Sequence, residues 1–205
     1  MPAQEHWERV YQTKAPDQVS WFLPHLETSL RLIQQAAGAL SASILDVGGG
    51  ASTLVDDLLS RGYRNIAVLD VSSTALETAQ KRLGAASENV HWISGDITQA
   101  TLPEKTFDVW HDRAVFHFLT NPDDRREYVR RAAAALKPGG RVIVAAFGLA
   151  GPEKCSGLEV VRYDAPALQR EFGAAFRLIA CEEELHRTPW GATQQFVYCC
   201  FALEP

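Results

Sequence analysis

Three consecutive glycines, Gly48, Gly49 and Gly50, follow Asp46 and separate an apolar run from an amphipathic one. Glycine destabilises ordered elements, so three in a row predict a chain that bends tightly around a ligand, with a ligand-free loop as the alternative. A second acidic residue, Asp70, lies one strand–helix–strand unit further along. An acidic side chain there can accept both hydroxyls of a ribose. The spacing therefore predicts a cofactor that contains an adenosine.

Two cofactor classes contain adenosine and bind near such a glycine turn. A dinucleotide site requires G-x-G-x-x-G, and counting from Gly48 the third position is Thr53, so that pattern fails. S-adenosylmethionine carries no phosphate and needs no pyrophosphate-binding helix end. For this cofactor, Asp46 would organise the loop and the amino end of the methionine. Asp96, in "SGDI" at the end of a third strand-like run, would accept a hydrogen bond from the adenine amino group.

Short apolar runs that alternate with helix-period segments must position these residues. The strand-like runs are "SILDV" (43–47), "NIAVLDV" (65–71), "VHWISGD" (90–96), "FDVWHDR" (107–113) and "RVIVAAF" (141–147). Such alternation predicts a doubly wound α/β fold with a mainly parallel, Rossmann-like sheet. Two final strand-like runs, "FRLIACEEEL" and "TQQFVYCCFAL", are joined by a turn with Pro and Gly. They predict an antiparallel hairpin at one edge of the sheet.

Length, charge and cysteine content limit the number of domains, the possible partners and the cellular location. The 205 residues are 46% hydrophobic with a net charge of -5, which predicts one domain over 1–205 and argues against a nucleic-acid partner. Within it we expect a helical N-terminal lid (1–40) and an α/β core (41–205). No apolar run approaches the roughly 18 residues of a membrane span, and the N-terminus lacks a secretory pattern, so we expect a cytoplasmic protein without a membrane partner. The four cysteines show no C-x-x-C spacing, so we expect reduced thiols and no metal. No pattern predicts an oligomeric state.

Five motifs occur here in the order and spacing of one family. "ILDVGGG", "VLDVS", "SGDI", "FDVWHDRAVFHFL" and "ALKPGGRVIV" cover roughly residues 40 to 147. In this respect the chain resembles class I S-adenosylmethionine-dependent methyltransferases. The resemblance implies cofactor-binding roles for Asp46, Gly48, Gly49 and Gly50 at the methionine end, Asp70 and Val71 at the ribose, and Asp96 and Ile97 at the adenine. Ser52 replaces a glycine found in many members.

A charged triplet, His111, Asp112 and Arg113, leaves the fourth apolar strand. Methyl transfer is an in-line displacement at a sulfonium methyl, and a thiol or amine acceptor also needs a base. The catalytic hypothesis places Asp112 beside the sulfonium or acceptor and makes His111 the base, although strand alternation can put the two on opposite faces. The alternative is a structural Asp112–Arg113 ion pair. For His117 we favour a structural role.

Aromatic residues are dense before the first strand, with Trp7, Tyr11, Trp21 and Phe22 within sixteen residues. They either cover the core or fold over the cofactor as a lid, as in related methyltransferases. An aromatic face beside the sulfonium would contribute about 0.5–2 kcal/mol, and Trp21, then Tyr11, are the candidates. In the long loop after the fifth strand, Cys155, Arg162 and Tyr163 are candidates to face the acceptor, with an inert surface thiol as the alternative for Cys155.

Three functional classes remain open from the sequence. A short chain without a separate substrate domain favours a small-molecule methyl acceptor. A protein lysine acceptor is the alternative, because two stretches resemble those of elongation-factor lysine methyltransferases. Those enzymes continue with Asp-Lys-Gly-Thr after the fourth strand, whereas this chain has Asp112-Arg113-Ala114-Val115. A non-catalytic cofactor-binding module is the third class, and the intact glycine and acidic positions disfavour it.

Overall fold

A computed structural model describes residues 3–204. The strands in this range are β1 (Ser43–Val47), β2 (Asn65–Asp70), β3 (Val90–Ser94), β4 (Phe107–Arg113), β5 (Leu136–Phe147), β6 (Lys154–Cys155), β7 (Leu158–Glu159), β8 (Phe176–Arg187) and β9 (Thr193–Leu203). Seven of them form one sheet in the order β3-β2-β1-β4-β5-β9-β8, and β6 pairs with β7 separately. β1 to β5 are parallel, whereas β9 is antiparallel to β5 and to β8. The predicted mainly parallel sheet with a C-terminal edge hairpin is confirmed.

Three of the described helices begin after a residue whose side chain caps the first turn. The helices in the described range are α1 (Ala3–Thr13), α2 (Glu27–Ala37), α3 (Leu54–Ser60), α4 (Ser73–Leu83), α5 (Pro122–Ala135) and α6 (Ala165–Phe172). Before α4, the Ser72 hydroxyl accepts a hydrogen bond from the Ala75 N–H at 3.2 Å, and Gly84 with φ +56° follows the last turn. These caps satisfy backbone groups that have no partner inside the helix, so the sequence fixes where α4 starts and stops.

Two apolar clusters cover the opposite faces of the sheet. On one face Tyr128 of α5 and Phe172 of α6 share a cluster with Trp110 of β4. On the other face Leu58 of α3 shares a cluster with Val109 of β4. Because successive strand side chains point to opposite faces, β4 is anchored from both sides and its last residues are held firmly at the carboxyl edge.

The second helix differs from the expectation that residues 1–40 form a lid. Leu30 and Ile33 of α2 are at most 1% exposed and pack in the same cluster as Ile44 and Val109. This apolar stripe makes α2 a layer of the core, because it covers the sheet face beside β1 and β4. The residues that lie over the carboxyl edge of the sheet come instead from α1 and the segment that follows it.

Candidate active site

The glycine turn connects β1 to α3 across the ends of β1 and β2. The Gly48 N–H donates to the Leu69 carbonyl at 2.7 Å. Gly48 has φ +69°, and a side chain there would collide with Val115. Gly50 has φ +40°, and a Cβ there would lie 2.7 Å from Oδ2 of Asp70. Both positions require glycine, because the left-handed backbone passes directly against its neighbours.

Two adjacent recesses lie at the carboxyl ends of the parallel strands. Their volumes are about 240 Å³ and about 50 Å³, and both are lined by Gly48, Tyr11, Trp21 and Arg113. Both recesses are lined by Val47, the last residue of β1. The chain proceeds from β1 to β2 and β3 on one side of this strand and to β4 and β5 on the other, so the strand order reverses at β1. This reversal of strand order is where doubly wound sheets bind their ligands.

The larger recess contains the residues predicted for the nucleoside. Asp70 and Val71 line it at the end of β2, and Asp96 and Ile97 line it after β3. Oδ1 of Asp70 accepts a hydrogen bond from the Ser72 N–H at 2.8 Å. Burial, then the charges of Asp46 and Glu8, raises the pKa of Asp70 to about 7. A buried carboxyl group in this position gains most from a ligand that donates hydroxyl hydrogens to its ionised form.

The smaller recess is lined by Asp46 and by Gly49, beside Gly48. Asp46 of β1 and His111 of β4 are register partners on adjacent strands, so their side chains share one face. Oδ1 of Asp46 lies 2.7 Å from Nδ1 of His111, and Nε2 of His111 lies 2.9 Å from the Ser29 hydroxyl. His111 also lines the smaller recess, and both of its ring nitrogens are engaged by protein groups. This geometry favours a positioning role, in which the imidazole orients the Asp46 carboxylate, over the predicted role as a base.

Asp112 lies on the opposite face of β4 and lines neither recess. Its Oδ1 accepts from the Val115 N–H at 2.8 Å. Its Oδ2 accepts from the Phe116 N–H at 3.0 Å and from the Tyr128 hydroxyl at 2.6 Å. Burial raises the pKa of Asp112 to about 6, although these hydrogen bonds and the charge of His111 oppose that shift.

The placement of Asp112 corrects the expectation that it faces the methyl group. Strand alternation turned the carboxylate inward, and the loop after β4 uses it as an anchor. The alternative ion pair is not formed either, since the described contacts of Arg113 are made with other residues.

Arg113 ends β4 and faces both recesses. Its side chain is 5% exposed. Nε donates to the Tyr198 hydroxyl at 2.9 Å, and Nη1 donates to the Trp21 carbonyl at 3.0 Å. The guanidinium carbon lies 4.6 Å from the centre of the Phe196 ring. Arg113 therefore joins the N-terminal segment to the C-terminal hairpin at the mouth of the site.

The N-terminal aromatic residues cover the larger recess. The ring centres of Trp7 and Trp21 are 5.6 Å apart, and those of Tyr11 and Trp21 are 6.5 Å apart. Trp7 also packs on Phe118 of the loop after β4, at 5.1 Å. All four side chains line the larger recess, and we call these four residues the roof.

Glu8 of α1 attaches this roof to α4. Its Oε1 accepts from the Ser73 N–H at 2.6 Å and from the Ser73 hydroxyl at 3.0 Å, and its Oε2 accepts from the Thr74 N–H at 3.3 Å. Burial would raise the pKa of Glu8, but the hydrogen bonds from Thr74 and Ser73 lower it below its ordinary value. A carboxylate at a helix N-terminus satisfies free N–H groups and the helix dipole, so Glu8 holds α1 in place.

Of the three residues after β5 that were predicted to face the acceptor, only Cys155 lines a recess. Cys155 is buried and lines the larger recess, and burial raises the pKa of its thiol to about 11. Arg162 donates to the Leu149 carbonyl at 3.0 Å, and Tyr163 is buried in the core, so both lie outside the recesses. His117 is buried, its Nδ1 accepts from the Phe147 N–H at 3.3 Å, and burial lowers its pKa to about 3.

Phe147 and Phe196 are among the lining residues that had no role in the sequence analysis. Phe147 ends β5, and Phe196 lies opposite it in the antiparallel register with β9. Their ring centres are 4.9 Å apart, and both line the larger recess. Phe147 could have been predicted to line the site, because it ends an apolar strand and such strand ends bind ligands. Phe196 had none, because its place depends on the pairing of β5 with β9.

Within 3–204, no group of three or more His, Cys, Asp and Glu side chains is arranged to hold a metal ion. Among the helices of this range, none combines the length and apolar character needed to span a bilayer.

Comparison with known proteins identifies a shared domain. Residues 44–140 match the family model described as a methyltransferase domain. A ubiquinone/menaquinone biosynthesis C-methyltransferase of Roseobacter denitrificans is 33% identical over 107 residues, which is 51% of this chain and 42% of that protein. The eEF1A lysine and N-terminal methyltransferase of Mus musculus is 24% identical over 139 residues, which is 68% of this chain and 20% of that protein. The chain thus spans less than half the length of these two relatives.

A solved structure shows the same fold over nearly the whole chain. The N-methyltransferase NodS of Bradyrhizobium japonicum, in complex with S-adenosyl-L-homocysteine, superposes with a TM-score of 0.73 at 16% identity, covering 98% of this chain and 100% of that one. The family match falls on the segment that contains the glycine turn and the acidic residues after β2 and β3. Residues 44–140 are therefore similar to a methyltransferase domain, and the sheet as a whole has the fold of NodS.

Proposed function

We propose that this protein transfers a methyl group from S-adenosylmethionine to a small-molecule acceptor. The observation that carries the proposal is the roofed recess, with nucleoside-binding residues on one side and an aromatic wall on the other. Asp70, Val71, Asp96 and Ile97 line the first side, and Phe147 and Phe196 belong to the second. A recess of this form accommodates a cofactor and a compact acceptor next to each other.

The residues present fit the cofactor. At Gly48 and Gly50 the backbone passes so close to Val115 and Asp70 that no Cβ fits, which brings the turn directly against the buried Asp70 carboxyl. When bound, the cofactor supplies a sulfonium-activated methyl group for in-line displacement. The chain's part is to bind the ribose with Asp70, hold the methionine end with Asp46, and exclude water with Trp7, Tyr11 and Trp21.

The packing of the roof residues supports a small acceptor. Trp7, Trp21 and Phe118 pack edge to face over the larger recess, and Glu8 attaches α1 to the N-terminus of α4. A bulky acceptor would have to displace this roof, whereas a compact one would fit beneath it.

A protein lysine acceptor is the second candidate. Its support is the similarity to the eEF1A lysine and N-terminal methyltransferase of Mus musculus and to EEF1A lysine methyltransferase 2 of Danio rerio, the latter 31% identical over 110 residues. The sequence after β4 departs from the lysine-enzyme pattern at Arg113, Ala114 and Val115. All three residues line the larger recess, so the departure falls where the acceptor would bind.

One labelling experiment separates these candidates. Purified protein is incubated with methyl-labelled S-adenosylmethionine and either a panel of thiols, amines and hydroxy acids or a cell lysate. Label in small molecules is expected, and label in a protein band would favour the lysine candidate. Binding of S-adenosylhomocysteine without any turnover would favour a non-catalytic module. The Asp70→Asn variant, in which the proposed ribose contact is weakened, serves as the control with reduced cofactor binding.

A further inference from the structure

Two of the four cysteines lie opposite each other on the C-terminal hairpin. Cys181 of β8 and Cys199 of β9 are partners in the antiparallel register, so their side chains lie on the same face of the sheet. Both are free thiols; Cys181 is exposed, whereas Cys199 is buried in the cluster that contains Phe172 of α6. Neither thiol lines either recess, so the pair lies outside the site described above.

The backbone hydrogen bonds of β9 show which kind of pair the two cysteines form. The Gln195 carbonyl accepts a hydrogen bond from the Gly148 N–H, on the β5 side of the strand. Backbone groups of successive residues point alternately to the two neighbouring strands, so those of Cys199 also point towards β5. The register between Cys199 and Gln195 is unbroken on both sides of β9. Cys199 and Cys181 therefore form a non-hydrogen-bonded pair, the type in which opposite side chains approach most closely.

This pairing meets the distance requirement of a disulfide bond. Opposite Cα atoms in a non-hydrogen-bonded pair are about 4.5 Å apart, and disulfides join cysteines whose Cα atoms are about 4.4–6.8 Å apart. The thiols also influence each other, because a hydrogen bond with Cys181 and the charge of Cys181 add to burial in raising the pKa of Cys199. The pair can therefore be bridged within the existing strand register.

The neighbouring Cys200 provides an internal comparison. It is the next residue of β9, it packs in the cluster on the opposite face of the sheet, and its register partner on β8 is Ala180. Cys200 thus has no thiol opposite it, although it is adjacent to Cys199 in the chain. A reaction that depends on the register will distinguish these two cysteines, whereas a reaction that depends only on proximity along the chain will not.

We propose that Cys181 and Cys199 are a site of reversible oxidation, at which a small-molecule disulfide such as glutathione disulfide converts the two thiols to a cross-strand disulfide. The inference does not depend on the proposed methyltransferase function. It assigns different parts to the two cysteines. The exposed Cys181 meets the small molecule, and the buried Cys199 completes the bond from within the sheet.

The reaction is a pair of thiol–disulfide exchanges. The Cys181 thiolate attacks one sulfur of glutathione disulfide, whose S–S bond breaks, and one glutathione leaves and takes up a proton. Cys199 then loses its proton and attacks Sγ of Cys181, which releases the second glutathione in the same way. Two protein thiols are oxidised, and one glutathione disulfide is reduced to two glutathione thiols. An excess of reduced glutathione reverses both steps.

The test uses the full-length protein and mixtures of reduced and oxidised glutathione. After equilibration, free thiols are blocked with N-ethylmaleimide, and the protein is digested with trypsin without reduction and analysed by mass spectrometry. Cleavage after Arg187 separates Cys181 from a C-terminal peptide that contains both Cys199 and Cys200. A crosslink between these two peptides is expected, and it should disappear when reduced glutathione is in excess.

Three variants identify the residues that form the crosslink. Cys200→Ala is expected to keep it, and Cys199→Ala is expected to lose it and to retain glutathione on Cys181. Cys181→Ser should lose both the crosslink and the bound glutathione at this position. Because Cys181 is exposed, this variant keeps the test informative if Cys199→Ala does not fold.

Several outcomes would overturn the inference. They are a crosslink that disappears in Cys200→Ala, a dimer joined through Cys181, glutathione that stays on Cys181 of the unsubstituted protein, and a Cys181 thiol that does not react. Each of these results leaves the proposed function unchanged, because cofactor binding and methyl transfer are measured separately. Conversely, failure of methyl transfer would leave the crosslink expected as before.

Discussion

The nucleoside half and the acceptor half of the site are built in different ways. In the nucleoside half, Asp70 ends β2, Asp96 lies two residues after β3, and the glycine turn follows β1 directly. In the acceptor half, Trp7 and Phe196 come from opposite ends of the chain and meet at the edge of the sheet. Arg113 joins both groups, with one hydrogen bond to Trp21 and another to Tyr198.

Because the two halves are built differently, they should respond differently to substitutions. The nucleoside half depends on local strand–turn–helix units, so single substitutions there should change cofactor affinity and leave the sheet intact. The acceptor half depends on segments far apart in sequence, so its loss should follow from changes that detach α1 or the hairpin. The predictions below test this division, from the largest expected effect to the smallest.

Deleting residues 1–22 removes the roof formed by Trp7, Tyr11 and Trp21. Turnover should fall by about 100-fold or more, because water enters the site and the acceptor side loses one wall. The sheet should persist, since α2 and its core contacts remain. Labelled methyl transfer and circular dichroism measure the two properties, and Trp190→Ala, at an exposed tryptophan (63%), is the control. Normal turnover in the truncated protein would contradict the roof assignment.

Asp112→Asn tests whether the loop after β4 needs its anchor. The side chain accepts three hydrogen bonds, from the Val115 and Phe116 N–H groups and the Tyr128 hydroxyl. An amide cannot accept all three, so the free energy of unfolding should fall by about 2–3 kcal/mol. Cofactor affinity should persist in the folded protein. Urea unfolding measures the loss, with the exposed Asp123→Asn as control. Lost turnover at unchanged stability would restore the catalytic hypothesis.

Asp70→Asn tests the ribose contact and its pH dependence. Affinity for S-adenosylhomocysteine should fall by about 1–3 kcal/mol, the cost of unpaired polar groups. In the unsubstituted protein the pKa of Asp70 is raised to about 7, and ribose hydroxyls favour the ionised form. Affinity should therefore rise as the pH increases towards 7 and level off above it, changing up to about tenfold per pH unit below.

Calorimetry between pH 5 and pH 9 provides the check, and Asp70→Asn should show no such dependence. An exposed carboxylate, Asp17, gives the matched control Asp17→Asn. A flat profile in the unsubstituted protein would remove Asp70 from the ribose contact.

Glu8→Gln should have the smallest effect. The substitution keeps the side-chain shape but removes the charge that Ser73 and Thr74 stabilise at the start of α4. We expect a loss of about 0.5–1 kcal/mol in the attachment of α1, seen as a few-fold rise in the acceptor KM. Glu5→Gln, at an exposed position on α1, is the control. Equal effects of the two variants would show that α1 is held mainly by its apolar contacts.

The sequence by itself determined the parts of this protein that depend on neighbours along the chain. The order of strands and helices and the turn at Gly48 follow from apolar periodicity and from backbone conformations that only certain residues adopt. Because the carboxyl ends of parallel strands meet at one edge, the acidic residues after β2 and β3 were also predicted to lie together. Asp70 and Asp96 do line one recess.

Only the tertiary structure decided which face each residue of β4 presents and what meets it there. Alternation allowed either His111 or Asp112 to face the site, and the choice depended on the register with β1, which pairs His111 with Asp46. Asp112 therefore points into the core, where its carboxylate accepts a hydrogen bond from the Tyr128 hydroxyl of α5. The aromatic wall likewise required the antiparallel register that sets Phe196 opposite Phe147. Such contacts between distant segments follow from packing, and no local pattern encodes them.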